Sequence, residues 1–273
     1  MEWLSRPILE NPLALIAFEG WGDAGDSASL AAEGFLNAFD SELIARFDPD
    51  EHYDFQVRRP MVYLDDGGTR SIEWPENEMY AIRQPGHDLV VMLGEEPNYK
   101  WKAFTGELVE ALVGLGVTRA VTLGAFIGQV AHTLPVPLIG SATRPDSLAV
   151  HGLLPSGYQG PTGILGVLNH SLGNAGIDVI SVWAAVPHYL SNQDYPPAVE
   201  ALTIKASELL GLGIDIGDLT RKSRQFRDTV DEAIVDNHEL QRYVEQLENE
   251  AVEEEIGETD SLVEEIEDFL KDR

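Results

Sequence analysis

The chain contains no cysteine. That excludes disulfides, thiol catalysis and cysteine-ligated zinc or iron–sulfur centres. Basic residues are scarce: 18 Lys and Arg stand against 47 Asp and Glu, a net charge of −29 in 273 residues. Such a surface repels phosphate, so neither nucleic acid nor an anionic membrane is expected as a partner. Long hydrophobic runs are missing as well. The stretch from Ala120 to Gln193 holds only three charged residues, Arg144, Asp146 and Asp178, yet Pro135, Pro137, Pro155, Pro161 and Pro187 interrupt it. No part of it approaches the ~20 continuous apolar residues of a membrane span. The segment Met1–Pro7 has no basic stretch leading into an apolar one, so no signal peptide is read there and the expected location is the cytoplasm. His-Glu-x-x-His and Gly-x-Ser-x-Gly patterns are absent too, and no metal, cofactor or catalytic set is expected.

What the chain does have is an alternation of strand and helix signals. Leu13–Glu19, Leu43–Phe47, Tyr53–Val57, Asp88–Leu93, Arg119–Ala125, Val136–Ser141 and Asp178–Val186 read as strands, several apolar throughout. Ser27–Phe39, Lys100–Leu115, Thr162–Ala175 and Pro196–Leu212 carry helical spacing, the first with Asp26 or Ser27 as its N-cap. Met61–Leu64 and Arg70–Trp74 flank Asp65-Asp66-Gly67-Gly68, a hairpin signal. The order implies an α/β fold: a three-layer α/β/α sandwich on a mostly parallel sheet, spanning residues 1–213. Residues 214–273 read as an acidic helical extension. From Asp215 to Arg273 there are 20 acidic and 7 basic residues. Positions 219, 223, 226, 230, 233, 237, 240, 244, 247 and 251 form a heptad seam whose one strongly polar member, Asn237, would set register in a coiled coil. A single amphipathic helix lying on the body, or a helical hairpin broken near Gly257, would bury the same stripe. The uncharged middle of the chain suggests a surface covered by further copies, hence a homo-oligomer.

Two features bear on chemistry. Gly20-Trp21-Gly22-Asp23-Ala24-Gly25 matches the dinucleotide fingerprint Gly-x-Gly-x-x-Gly, with Asp48 placed 23 residues past the last glycine. Trp21 and Asp23, however, put bulk and negative charge where a pyrophosphate needs bare N–H groups, and the loop holds no Lys or Arg. The other feature is the set of strand exits. In a doubly wound sheet these line one rim, where ligands sit. The rim would carry Gly22, Asp23, Glu95, Asn98, Gly124, Phe126 and His188, with Arg59 as the candidate anion ligand, while the carboxylates could equally serve as helix caps and loop anchors.

Five blocks together resemble one family: Phe18–Gly25; Arg58-Arg59-Pro60; Leu123-Gly124-Ala125 with His132-Thr133 and Pro135-Val136-Pro137; Tyr158–Ile164; and Trp183–Tyr189. They are similar to the proteasome assembly chaperones of the second-chaperone type, prokaryotic branch, over roughly residues 10–212. The resemblance implies a fold like that of purine nucleoside phosphorylase and a protein-binding, non-enzymatic role, with a trimer favoured over a dimer. Family members that dock on the proteasome end in a hydrophobic-Tyr-any tail. This chain ends Phe269-Leu270-Lys271-Asp272-Arg273, so docking by that route is not expected. The phosphorylase-like fold leaves a second possibility, a nucleoside-like ligand in the strand-end rim bound or cleaved by Asp23, Glu95 and His188.

Overall fold

The computed structural model describes residues 1–65 and 67–251. The chain begins with a two-residue strand β1 (Glu2–Trp3), then β2 (Leu13–Glu19), helix α1 (Ser27–Ala38), β3 (Ser41–Arg46) and a short α2 (Pro49–His52). A hairpin follows, β4 (Met61–Leu64) with β5 (Arg70–Glu73), and then β6 (Asn77–Ile82), β7 (Leu89–Glu95), α3 (Trp101–Leu115) and β8 (Arg119–Gly128). β9 (Leu138–Ala142), α4 (Asp146–Val150), β10 (Leu154–Pro155), α5 (Ile164–Asn174), β11 (Asp178–Pro187), α6 (Pro196–Leu210) and α7 (Gly217–Ile234) complete the named elements. Residues 238–251 are helical and are labelled α8.

Nine strands make one sheet in the order β1-β3-β6-β7-β2-β8-β11-β9-β10. Its centre, β7-β2-β8-β11, is entirely parallel, while β6 and β9 flank it in the opposite direction. Alternation along each central strand sends neighbouring side chains to opposite faces. Leu15 and Ala17 of β2 therefore join Val121, Leu123, Val182 and Ala184 beneath α1 and α6. Ala14, Ile16 and Phe18 join Val90, Met92, Ala120 and Val179 beneath α3 and α5. Two apolar layers sandwiched by helices result, which is why the central strands read as unbroken hydrophobic runs rather than alternating ones.

Three local expectations are corrected or refined. Tyr53–Val57 is not a strand: Asp48 caps α2 by accepting from Asp50 N (3.0 Å), and Asp54 O accepts from both Val57 N and Arg58 N at 2.8 Å, so Asx chemistry folds the segment into turns. The strand that fills the neighbouring place is β6, whose Glu-Asn-Glu start hides a period of two, with Asn77, Met79 and Ala81 inward. Asp26 does hold the N-cap position of α1, but its side chain makes no cap bond; the carboxylate of Asp23 accepts from Ala28 N and Ser29 N in its place. The heptad seam is not one continuous helix. It breaks at 235–237, where Asn237 Oδ1 accepts from Leu240 N (3.1 Å) and caps α8 instead of setting a register. Either side of the break the apolar stripe faces the body. Leu219 and Phe226 pack onto the α1–α6 core, and Val244 and Leu247 onto Ala131, Leu134 and Tyr189. Gly257 and the Phe269–Arg273 tail lie outside the described residues.

Candidate functional site: the strand-end rim

Because β7, β2, β8 and β11 are parallel and adjacent, their carboxyl ends do share one edge. The loop after β2 is drawn into this edge: Asp23 forms a parallel bridge with Ala125, and Ala125 N donates to Gly22 O (2.7 Å). Gly25 then turns the chain with φ 59° against Tyr195, a conformation that a side chain would strain. The turn folds Asp23 back over the start of α1. Its Oδ1 accepts from Ala28 N at 2.5 Å, and its Oδ2 from the Ser29 hydroxyl and Ser29 N. Burial pushes this carboxyl up to about 6, against the pull of those hydrogen bonds. The N–H groups that a pyrophosphate would need are thus already taken by a carboxylate of the chain itself. Asp48, the acid at ribose-binding distance in the fingerprint, is the cap of α2. The glycine motif is a turn device here.

The centre of the rim is filled by indole. Trp183 on β11 lies directly across from Gly124 on β8. A Cβ at Gly124 would sit 2.5 Å from the Trp183 ring, and one at Gly22 would sit 3.2 Å from it. Both glycines are therefore there to let the ring lie flat across the strand ends. What space remains is about 10 Å³, between Phe18, Glu19, Gly22, Glu96, Ile164 and Trp183. That is room for one water at most. Glu96 closes the other side: its Oε1 accepts from Ile164 N (2.7 Å) and caps α5. Trp21 covers Gly163 from outside and is itself 64% exposed.

The remaining rim residues scatter. Glu95 pairs with Arg58, which also lies 3.7 Å from Glu19. Burial, and next the neighbouring Glu95, raise the Glu19 carboxyl, while Arg58 opposes the rise. Arg58 and not Arg59 is thus the cation of the rim; Arg59 is exposed and pairs with no carboxylate among the described residues. The backbone oxygen of Glu95 accepts from the Tyr53 hydroxyl (2.7 Å) and from Asn77 Nδ2 (3.1 Å), anchoring α2 and β6 to β7. Gly94 is obliged at this junction, since a Cβ would fall 2.2 Å from Glu76 O. Asn98 is also an anchor: its Oδ1 accepts from Asp54 N (2.8 Å). Phe126 is half-buried beside Gly128.

His188 leaves the rim altogether. It is exposed and stands edge-on to Tyr189 (5.4 Å) and to Tyr243 of α8 (5.3 Å). Asp23, Glu95 and His188 therefore do not converge on a pocket. Beneath them runs a network that the sequence only hinted at. Tyr189 Oη accepts from His132 N (3.0 Å) and lies 2.8 Å from His132 Nδ1, while His132 Nε2 lies 3.1 Å from Asp231 of α7. A wholly buried histidine thus ties the C-terminal helices to the loop after β8. Beside the rim, between α1 and β6, opens a larger cleft of about 590 Å³. Glu19, Asp26, Glu33, Glu73, Glu76, Glu78 and Glu95 line it with Trp74 and Tyr80. Seven carboxylates make it hostile to phosphate. No helix of the described residues is long and apolar enough to cross a membrane.

The strand ends of this α/β/α protein are thus closed by tryptophan at their centre, with Asp23 and Glu96 spent on helix N-termini. Comparison with known proteins gives the family. The PAC2 family model matches residues 17–234, and the chain belongs to the PAC2 family. A PAC2 family protein from Streptomyces avermitilis is 40% identical over 85% of this chain and 99% of its own, with a TM-score of 0.79. A Mycobacterium tuberculosis proteasome-assembly chaperone homologue is 38% identical over 85% of this chain and 99% of its own, with a TM-score of 0.78. Pyrococcus furiosus PbaB, an archaeal proteasome activator, shares the fold at 17% identity, covering 85% of this chain and 97% of its own, with a TM-score of 0.68. No curated protein matches the chain.

Proposed function

We propose that the protein is a non-enzymatic, cytoplasmic, self-associating assembly factor of the proteasome-assembly-chaperone kind, most simply a trimer, that works by binding protein. The observation carrying this reading is the plugged strand end. Only about 10 Å³ remains beside Trp183, the cleft of about 590 Å³ next to it is lined by seven carboxylates, and Asp23 and Glu96 are committed to helix N-termini. A nucleoside-processing site needs an open pocket and a phosphate cradle. Here the one rim cation, Arg58, is engaged by Glu19 and Glu95. The relatives support the protein-binding side: a homologue 38% identical bears the name of a proteasome-assembly chaperone.

The test is direct. Purified protein is mixed with proteasome α subunits of the same organism and followed by sedimentation and by ring formation. Co-sedimentation and faster ring assembly are expected, and their absence at tens of micromolar overturns the chaperone assignment. In parallel, nucleosides with millimolar phosphate should leave the melting temperature unchanged. A rise of several degrees would instead establish a small-molecule site.

A further inference from the structure

The two faces of the sheet are covered unequally around β6. On one face Met79 and Ala81 of β6 join Phe104 and Leu108 of α3 in a single core. On the other the helix layer stops at α1, which packs on β2, β7 and β8. Past α1, Glu78 and Tyr80 of β6 are half-buried and line the cleft of about 590 Å³. Its floor is apolar: Leu30, Leu36, Tyr80 and Leu93 rest on the core and leave their outer halves open to the cleft. Trp74 makes a wall at the foot of the hairpin, 40% exposed and steadied by its edge-on contact with Phe55 (4.8 Å).

The charge around this floor says what would cover it. Glu19 and Glu95 share Arg58, and Glu78 has Arg46 at 3.9 Å. Asp26, Glu33, Glu73 and Glu76 have no ion pair among the described residues. Burial raises the carboxyls of Glu19, Asp26 and Glu76, and a second acid adds to each rise: Glu95, Asp194 and Glu78 in turn. These acids are therefore partly dehydrated and short of counter-charge, and a cation is drawn to such a place more strongly than to an open acidic surface. Lys and Arg suit both parts of the cleft. Their aliphatic stems can lie on leucine while their heads reach carboxylate, and a guanidinium can stack on Trp74 or Tyr80. Among the described residues no group of three or more His, Asp or Glu could hold a metal ion. The cleft follows α1 from Asp26 to Asn37. At 1.5 Å per helical residue that is about 16 Å, the length of roughly five residues of extended chain. A leucine-lined floor of that length also asks for apolar side chains between the cations, which a bare polyamine lacks.

We propose that this cleft is the docking groove for an extended, Lys- or Arg-bearing segment of a partner protein. Its cationic heads meet Asp26, Glu33, Glu73 and Glu76, and its apolar parts lie on Leu30, Leu36 and Leu93. This rests on the protein-binding role proposed above and gives that role a surface and a partner chemistry.

The test uses the full chain and a rhodamine-labelled Arg-Leu-Arg-Leu-Arg peptide, followed by fluorescence anisotropy at near-physiological salt. Saturable binding is expected, with none for the Glu-Leu-Glu-Leu-Glu counterpart. Any cation is attracted to a chain of net charge −29, so two variants with equal charge change are compared. Glu33→Gln/Glu73→Gln/Glu76→Gln neutralises the cleft, and Glu232→Gln/Glu239→Gln/Glu245→Gln neutralises exposed positions on α7 and α8. The cleft variant should bind about tenfold more weakly and the control variant less than about twofold. Glu33→Gln alone, on the exposed side of α1, should already weaken binding about threefold and leaves the fold intact. Equal losses in the two triple variants, or no binding at 100 micromolar peptide, overturn the assignment. Spermine binding as tightly as the peptide overturns it in favour of a polyamine. A change in oligomeric state of the cleft variant by light scattering overturns it in favour of a second copy. Proteasome α subunits separate this idea from the chaperone reading. If wild type and cleft variant co-sediment with them equally, the groove assignment fails and protein binding stands. If the wild type ignores them yet binds the peptide through the cleft, the chaperone reading fails and the groove stands.

Discussion

The rim and the hairpin are built to opposite ends. At the rim, Gly22 and Gly124 give up their side chains so that Trp183 can close the strand ends, and Asp23 and Glu96 turn inward onto helix N-termini. At the hairpin, Val62, Leu64 and Ile72 are exposed, with nothing among the described residues covering them. The contrast teaches where recognition is to be sought. A fold that many enzymes use with an open strand end here keeps that end shut and holds its uncommitted apolar surface on an arm.

The contrast can be broken or sharpened by substitution. The largest effect is expected for Gly94→Val. Its Cβ would fall 2.2 Å from Glu76 O and 2.6 Å from Asn77 Cα, backbone atoms that cannot swing away. Roughly 3 kcal/mol of stability should be lost, read as a lowered denaturant midpoint at unchanged slope. Trp183→Ala should cost about 2–3 kcal/mol and open the strand end. A variant that is as stable as wild type would show that the indole is not the plug. Asp23→Asn should alter the pH profile. An acid whose folded pKa of about 6 exceeds its unfolded value of 3.8 favours the fold below pH 4 and loses that contribution as pH rises through 6. Urea titrations at pH 4 and pH 7 should therefore show a wild-type stability that falls relative to Asp23→Asn by about 2 kcal/mol over the interval. The effect should vanish if the carboxylate were solvated. Smallest, Arg58→Ala should cost under about 1 kcal/mol, since the guanidinium is 41% exposed and its pairs are screened. Calorimetry showing a loss several times larger would make the ion cluster a structural keystone instead of a surface trim.

Much of the architecture was legible because burial on two faces writes itself as continuous apolar runs. Leu13–Glu19, Asp178–Val186 and the helices between them stand where periodicity puts them. The hairpin was legible from Asp65-Asp66-Gly67-Gly68, whose Asp65 Oδ1 indeed accepts from Gly67 N and Thr69 N. Tyr53–Val57 was misread because alternation of Tyr53, Phe55 and Val57 imitates a strand while Asp48 and Asp54 decide for turns. Within the rim, the sequence pointed to the correct edge and to Gly22, Asp23, Glu95 and Gly124 on it, but to Arg59 where Arg58 stands. Arg58 and Arg59 are adjacent, and only the path of the chain after α2 chooses which one meets Glu19 and Glu95. The roles of Glu96 and Trp183 were not legible because a cap on a helix 68 residues away and a ring across two glycines leave no local pattern. One signal was available: a glycine facing a tryptophan in paired parallel strands.

By itself, then, the amino-acid order determined the layered α/β body, an acidity that repels phosphate, and the edge at which the strands end. These depend on periodicity, composition and turn chemistry, which are local. Whether that edge is a pocket or a plug was decided by tertiary structure alone. Closure depends on which side chains from β8, β11, α1 and α5 meet at a few ångströms, and residues so brought together are distant along the chain.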